Sequence, residues 1–380
     1  MYALGAERPA EQVEEAVADC VTALRAVADR DWEGVRAGRL EWDCRKTAVH
    51  MASDLLAYAG QLAGRAQDAY IPFEITLDGT DDGLDPADNA GVLQAITTTG
   101  ALLAATIRTT PRAVRAFHPY PFRHANREGF AAMGVAEVLL HTHDIAEGLG
   151  VRYEPPAEPA SFVLTRIFPR VRPGPTPWQT LLWATGRGEL PGREPVGPWR
   201  WSNNPVLRGE RLDLEGLTPA SAADLGAGGD GGFAWVGSAP AEGTRVGAGM
   251  MVKQYEEGEF RPEWTAYVLV RREDDLAVGA MGFHSAPDED ERVEVGYDLV
   301  EDARGHGYAT EALRTLSAWA LAQDGVRTVT AVIDRDNVAS QGVVTRAGFT
   351  RVGEDGAKGE YVYELREVRG TGEARGTGEA

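Results

Sequence analysis

The feature that most constrains this chain is a change of hydrophobic period near residue 205. Before it, apolar residues recur at three- and four-residue spacing, the mark of helices buried along one face. Beyond it, short alternating runs take turns with helical runs, which predicts strands and helices packed in layers. The two patterns do not build one core, so the 380 residues predict at least two domains.

In the first part, Val13, Ala16, Val17, Cys20, Leu24 and Val27 predict a helix over 11–28. Val49, Ala52, Leu55, Leu56 and Leu62 predict a second over 46–66. A third, over 89–108, stops before Pro111, and a fourth, over 126–149, ends at Gly150, a residue suited to a left-handed C-terminal turn. Residues 80–90 read as an acidic loop. Four helices without a strand pattern predict a four-helix bundle over 1–150. Residues 151–205 are crowded with proline and glycine, yet Trp183, Trp199 and Trp201 argue against a disordered linker. An ordered extension with one short helix at 177–185 is expected there.

From 206 to 368 the expected strands are 211–214, 265–270, 277–283, 293–299 and 326–333, with helices at 310–322 and 339–346. A closing hairpin at 350–352 and 361–365 completes an α/β domain with a mixed sheet. The stretch 226–263 reads as a loop whose Glu256, Glu257 and Glu259 would attract a cationic amine. The tail, 369–380, repeats Arg-Gly-Thr-Gly-Glu-Ala and is expected to be disordered.

A net charge of -20 argues against nucleic acid and anionic membrane surfaces as partners. The two cysteines, Cys20 and Cys44, build no disulfide framework and fit a reducing compartment. The N-terminus lacks the pattern of a signal peptide, and no run of about 18 apolar residues predicts a membrane span. A cytoplasmic protein is expected.

The run Arg304-Gly305-His306-Gly307-Tyr308-Ala309 follows an expected strand and opens an expected helix. A glycine-rich turn at a helix N-terminus exposes free amides and the positive end of the helix dipole, which suits a pyrophosphate. Arg304 adds charge for a phosphate oxygen. Downstream stand Asn337-Val-Ala-Ser340 and Arg346-Ala-Gly348-Phe349, and upstream Arg211-Leu-Asp-Leu and Glu294-Val-Gly296-Tyr297. Together these motifs, spanning 207–368, resemble the GNAT N-acetyltransferase superfamily, in the branch acting on protein N-termini and small amines. The resemblance implies acetyl-CoA as cofactor and a primary amine, on a small molecule or a peptide, as acceptor. It implies that Leu299 and Val300 bind the pantetheine through their backbone. Residues Arg304, Gly305, His306, Gly307, Tyr308 and Ala309 would hold the pyrophosphate, and Asn337 and Ser340 would touch the cofactor from the far side. Acetyl transfer needs a base for the ammonium proton. Glu294 is the leading candidate; a salt bridge with Arg292 or another base is its plainer reading. The helix at 339–346 carries Val344 near where many relatives place a tyrosine acid. His284 and His306 are possible substitutes, each with a plain surface reading.

In the first part, Glu137 and His141 are four residues apart and share one helix face. His50 lies on another helix that a bundle can bring opposite. Two imidazoles and a carboxylate with an open position match catalytic zinc chemistry. The plainer reading is a buried hydrogen-bonded pair without metal. Trp42…His50-Met-Ala-Ser-Asp54 and Glu137-Val-Leu-Leu-His141-Thr-His-Asp144 resemble DinB-like bundles, specifically the mycothiol-dependent maleylpyruvate isomerase N-terminal family, as does the stretch from Leu181 to Trp201. That resemblance implies that His50, Glu137 and His141 bind a divalent metal, usually zinc, which activates a low-molecular-weight thiol such as mycothiol. Asp144 is open between an outer-shell role, a turn cap and an arginine partner. His143 faces away. Arg123, His124 and Arg127 form a basic turn open to an anionic substrate or to solvent alone. The expectation is a bifunctional enzyme, an N-acetyltransferase joined to a thiol S-transferase or isomerase. The alternative is an acetyltransferase with the bundle as scaffold, substrate-binding or regulatory module.

Overall fold

The computed structural model describes residues 8–77, 87–118, 124–197, 202, 204–355 and 359–366. Trp199, Trp201, Arg123 and the expected tail lie outside the described residues, as does most of the acidic loop.

The first part is helical. Helices α1 (Pro9–Arg25), α2 (Cys44–Gly64), α3 (Asn89–Thr109) and α4 (Arg127–Gly148) surround one core. Asp43, Asp88 and Asn126 cap α2, α3 and α4 by accepting from the amides of Lys46, Gly91 and Gly129. Gly150 ends the last helix at φ +68°, as its position predicted. Helices α1 and α2 each pack against both α3 and α4. Helix α3, with a mean hydropathy of 1.5, is long and apolar enough to cross a membrane by length and composition, although threonines and Gln94 break its apolar run. Here it packs between α1 and α2, burying Val92, Leu93, Ile96, Leu103 and Ile107. Strands β1 (Ala116–Phe117) and β2 (His124–Ala125) pair in the α3–α4 connection.

The extension holds α5 (Ala157–Ile167) and α6 (Pro177–Ala184). Only α6 was expected. Prolines hide α5 in the sequence, but Pro156 is its N-cap and Pro159 sits in its first turn, where no intrahelical amide is needed.

The second part begins with β3 (Val206–Arg208), β4 (Leu212–Gly216), α7 (Pro219–Gly226) and α8 (Glu242–Glu257). The presence of α8 corrects the expectation of a loop over 226–263. Then come β5 (Ala266–Arg271), β6 (Ala277–Phe283), β7 (Arg292–Leu299), α9 (Tyr308–Leu321), β8 (Thr328–Asp334), α10 (Val338–Ala347), β9 (Thr350–Asp355) and β10 (Glu360–Arg366). They form an eight-stranded mixed sheet in the order β3-β4-β5-β6-β7-β8-β10-β9. Only β7 and β8 are parallel, and they pair through just Arg292–Thr328, Val293–Val329 and Glu294–Thr330. Beyond Glu294 the two strands diverge, so β7 turns one bare edge toward a gap.

Gly282 keeps β6 tight against β5. A Cβ on Gly282 would stand 2.4 Å from the Ala266 Cα and 2.6 Å from the Thr265 carbonyl oxygen, both backbone of the neighbouring strand. Backbone yields less than a side chain, so Gly282→Ala is expected to cost about 1–3 kcal/mol. A thermal melt of the variant that overlays the wild type would contradict this.

The two cores meet at a buried ionic joint. Arg112 and Arg115, from the α3–α4 connection, reach Glu215 on β4 at 3.3 and 3.0 Å. Arg112 also lies over the Phe233 ring at 3.7 Å and donates to the Gly232 carbonyl at 2.7 Å. Glu215 is 4% exposed, so these partners stand where water would otherwise be.

Candidate functional site

The gap between β7 and β8 opens into a cleft of about 670 Å³, a size that suits a cofactor. It is lined by Tyr297, Asp298, Leu299, the glycine-rich turn and the first turns of α9 and α10. Gly307 is the N-cap of α9, and Gly305 and Gly307 both adopt φ +81°. That conformation strains any residue with a Cβ. The first amides of α9 have no carbonyl four residues back, and the helix dipole aims its positive end at the cleft. The Arg304 guanidinium donates to the Leu299 carbonyl at 3.1 and 3.2 Å, which fixes the turn's approach. On the far wall, Asn337 caps α10 by accepting from the Ser340 amide at 3.0 Å, so the Asn-x-x-Ser spacing is a helix cap that also lines the cleft.

Of the expected cofactor contacts, Leu299, Arg304, Gly305, Gly307, Tyr308, Ala309, Asn337 and Ser340 line the cleft; Val300 and His306 do not. Val300 is buried and gives its amide to the Val278 carbonyl at 3.1 Å. In an antiparallel pair alternate residues turn to the neighbouring strand. Val300 therefore faces β6, while Leu299 and Tyr297 turn their backbone to the gap. Tyr297, not Val300, therefore lines the cleft beside Leu299. The His306 imidazole hydrogen-bonds the Arg304 carbonyl at 2.8 Å and stacks on Tyr308, bracing the turn.

A second pocket, about 200 Å³, adjoins the cleft and shares Tyr297 and Asp298 with it. Its walls are Val246, Met250 and Met251 from α8 with Met281 and Phe283 from β6. His284 stands at its edge, its Nδ1 3.1 Å from the Glu294 carboxylate. Glu294 therefore pairs with His284; Arg292 reaches Glu364 instead, at 3.7 Å. The Glu294 hydrogen bond raises the His284 pKa above its ordinary value against the effect of burial. The Tyr297 hydroxyl donates to the Ser340 carbonyl at 3.3 Å, and burial raises its pKa. Glu256, Glu257 and Glu259 line neither pocket. They sit at and beyond the C-terminal end of α8, outside the walls of both pockets.

In the helical part, ligand atoms of His50, Glu137 and His141 lie within 4.8 Å of one another. Nε2 of His141 is 3.1 Å from Glu137, and the His50 and His141 rings are 5.3 Å apart. Asp144 sits 3.1 Å from Nδ1 of His141 and receives two bonds from Arg187, each 2.9 Å. The open question over Asp144 thus resolves to two roles together: it orients the imidazole and pairs with an arginine. Nδ1 is thereby engaged and Nε2 turned to the shared point, the usual arrangement behind a metal-binding histidine. Burial opposes charge on His141, but the bonds to Asp144 and Glu137 raise its pKa to about 9. Burial likewise pushes the Glu137 carboxyl up, and the His141 bond more than reverses it. Burial and the Glu137 charge push Asp54, 3.3 Å from His50, up to about 7. This donor set fits a divalent cation: a tetrahedral zinc separates its ligand atoms by about 3.4 Å. His143 packs against Trp178 at 5.6 Å, away from the triad. His124 bonds the Gln67 carbonyl and Arg127 bonds Glu128, so neither stands in solvent alone.

Residues 211–350 match the family described as "Acetyltransferase (GNAT) domain". Among curated proteins the chain is similar to the uncharacterized N-acetyltransferase YjdG of Bacillus subtilis, 33% identical over 84 residues, covering 22% of this chain and 50% of that protein. It is also similar to the uncharacterized N-acetyltransferase YoaA of the same organism, 27% identical over 96 residues, covering 25% and 52%. The chain spans about half the length of these curated relatives. Among solved structures, an acetyltransferase from Agrobacterium tumefaciens aligns with a TM-score of 0.32 and 23% identity, covering 46% of this chain and 100% of that one. A GNAT-family acetyltransferase from Bacillus anthracis aligns with a TM-score of 0.31 and 17% identity, covering 43% and 98%. The C-terminal part of this protein carries a GNAT acetyltransferase domain.

Proposed function

We propose that this protein transfers the acetyl group of acetyl-CoA to a primary amine. The observation that carries this reading is the cleft between the diverging β7 and β8, floored by the amides of the Gly305–Gly307 turn and the start of α9. Pantetheine would lie along the bare edge of β7 and add backbone hydrogen bonds to Tyr297 and Leu299. The diphosphate would rest on the turn. The thioester would then sit near Tyr297, where cleft and acceptor pocket join. The acceptor pocket is mostly apolar, so it favours an amine carried on a small apolar body over a polycation. The departing sulfur needs a proton, and the half-buried, protonated Tyr297 hydroxyl is the group best placed to give it. Calorimetric titration with acetyl-CoA, followed by thiol release with a panel of amines, tests the reading. Binding with acetylation of arylalkyl amines ahead of polyamines is expected; no acetyl-CoA binding would overturn it.

A second reading rests on the His50–Glu137–His141 cluster. We propose that the helical part is a DinB-like bundle that holds one divalent cation, zinc foremost, through these three side chains. When bound, the cation supplies a Lewis acid that lowers the pKa of a coordinated thiol such as mycothiol. Asp144 and Arg187 lock the His141 ring, and Tyr58, 3.4 Å from Glu137, holds the carboxylate. Thiol S-transfer beside acetyl transfer makes the chain bifunctional. Acetyl transfer alone, with the bundle as scaffold or regulator, is the outcome if metal removal leaves no thiol chemistry to lose.

A further inference from the structure

Resting on the acetyltransferase reading, we propose that the imidazole of His284 takes the proton from the acceptor ammonium, with Glu294 as the positioning residue behind it. The β6–β7 hairpin creates the pair. Its register sets Gly282 opposite Gly296 and Phe283 opposite Val295, which brings His284 beside Glu294, and the His284 amide donates to the Glu294 carbonyl at 3.0 Å. The Glu294 carboxylate, 3.1 Å from Nδ1, holds the proton of the neutral ring on that nitrogen. Nε2 is left bare as an acceptor.

Nε2 lies over Gly296. A Cβ on that residue would stand 2.8 Å from it, so glycine is what lets the ring settle there. Gly296 and His284 both line the acceptor pocket, beside the Tyr297 and Asp298 shared with the cofactor cleft; Glu294 lines neither pocket. The imidazole therefore stands between the carboxylate and the acceptor. Among the described residues of this pocket, β7 supplies the other titratable groups, Asp298 and Tyr297; α8 contributes none, its Gln254 donating to the His284 carbonyl at 3.0 Å. Asp298 is engaged by the Gly243 amide at 2.8 Å, and its charge draws an ammonium inward.

The proton of R–NH3+ passes to Nε2, and Glu294 stabilises the imidazolium. The freed lone pair forms the C–N bond to the thioester carbonyl carbon. The C–S bond breaks with its electron pair on sulfur. The Tyr297 hydroxyl gives its proton to sulfur and recovers one from the nitrogen as its second proton leaves, giving the amide and the thiol, and the imidazolium returns its proton to water. Because Glu294 raises the His284 pKa, the acid limb of kcat/KM lies above the ordinary histidine value.

The test uses the full chain with acetyl-CoA and phenethylamine as probe acceptor, with thiol release followed against pH and hydrolysis by water as the background rate. Calorimetric binding of acetyl-CoA serves as the fold control for every variant. His284→Ala and His284→Asn are expected to lower kcat/KM by about 10²–10⁴-fold with acetyl-CoA affinity intact, and added imidazole should restore part of the rate to the alanine variant. Glu294→Gln should move the acid limb to lower pH at a smaller loss, roughly tenfold or less, because it removes the support and keeps the base. Gly296→Ala should resemble His284→Ala. A larger loss in Glu294→Gln than in His284→Ala, or an unmoved acid limb, overturns the proposal in favour of Glu294 acting through water. Wild-type chain that binds acetyl-CoA yet releases no thiol to amine or water also overturns it; failure to bind acetyl-CoA overturns the acetyltransferase reading itself.

Discussion

Glu137→Ala is expected to empty the proposed metal centre, dropping bound zinc from about one per chain to near none and weakening affinity by more than ~100-fold. The reasoning is local. Glu137 is the only carboxylate of the three-residue donor set, so its loss leaves two imidazoles with no negative charge between them. His141 would keep Asp144, itself held by Arg187, so the helix should stay folded and the effect should appear in metal content. Elemental analysis after dialysis and a zinc-dependent thermal shift both read it. Because a ligand bound only by the folded chain stabilises it by mass action, zinc should raise the melting temperature of the wild type and leave the variant unmoved. Equal zinc in both proteins would remove the triad as the ligand set. Measuring acetyl transfer on the same variant separates a bundle with its own chemistry from one that serves the transferase.

Gly307→Val is expected to raise the acetyl-CoA dissociation constant by about 10–100-fold. Gly307 caps α9 at φ +81°, ψ 3°, a conformation that a β-branched residue leaves or holds under about 1–3 kcal/mol of strain. Relaxation toward negative φ rotates the amides of the turn away from the cleft, and tenfold in affinity corresponds to about 1.4 kcal/mol. A Cβ there meets only Arg211 Nη2, at 3.5 Å, so the backbone and not a steric clash carries the effect. Titration calorimetry reads it, with circular dichroism and zinc content of the distant bundle as controls. Unchanged affinity would mean that the diphosphate lies elsewhere.

What was legible in the sequence was local. The α9 turn announces itself because glycine, strand end and helix start are contiguous. The strand 277–283 coincides with its expected bounds because β6 is buried on both faces and its short apolar run is closed off by polar residues at either end. Helix α8 was hidden because Gly243, Gly247 and Gly249 and a low apolar content deny it a helical stripe; packing against α7 and the sheet supplies what propensity withholds. Helix α5 was hidden by prolines that in fact begin it. At the sites, the Glu137–His141 spacing was visible because one helix carries both. The His284–Glu294 pair depends on hairpin register, and the Arg187–Asp144 bond crosses 43 positions of chain. The nearest signal for the former was Gly282 and Gly296 flanking the turn symmetrically, which has meaning only once the two strands are known to pair.

The ionic joint at Glu215 bears on how the protein can be taken apart. Severing the chain near residue 205 would strip a carboxylate on the first long strand of its two guanidinium partners and lay the Phe233 ring open to water. Each fragment would inherit unpaired charges or a bare aromatic face on a surface that the intact chain keeps covered. The halves are therefore expected to melt as a single cooperative unit when joined and to be poorly behaved when expressed apart, so activities assigned from isolated pieces would understate the intact protein.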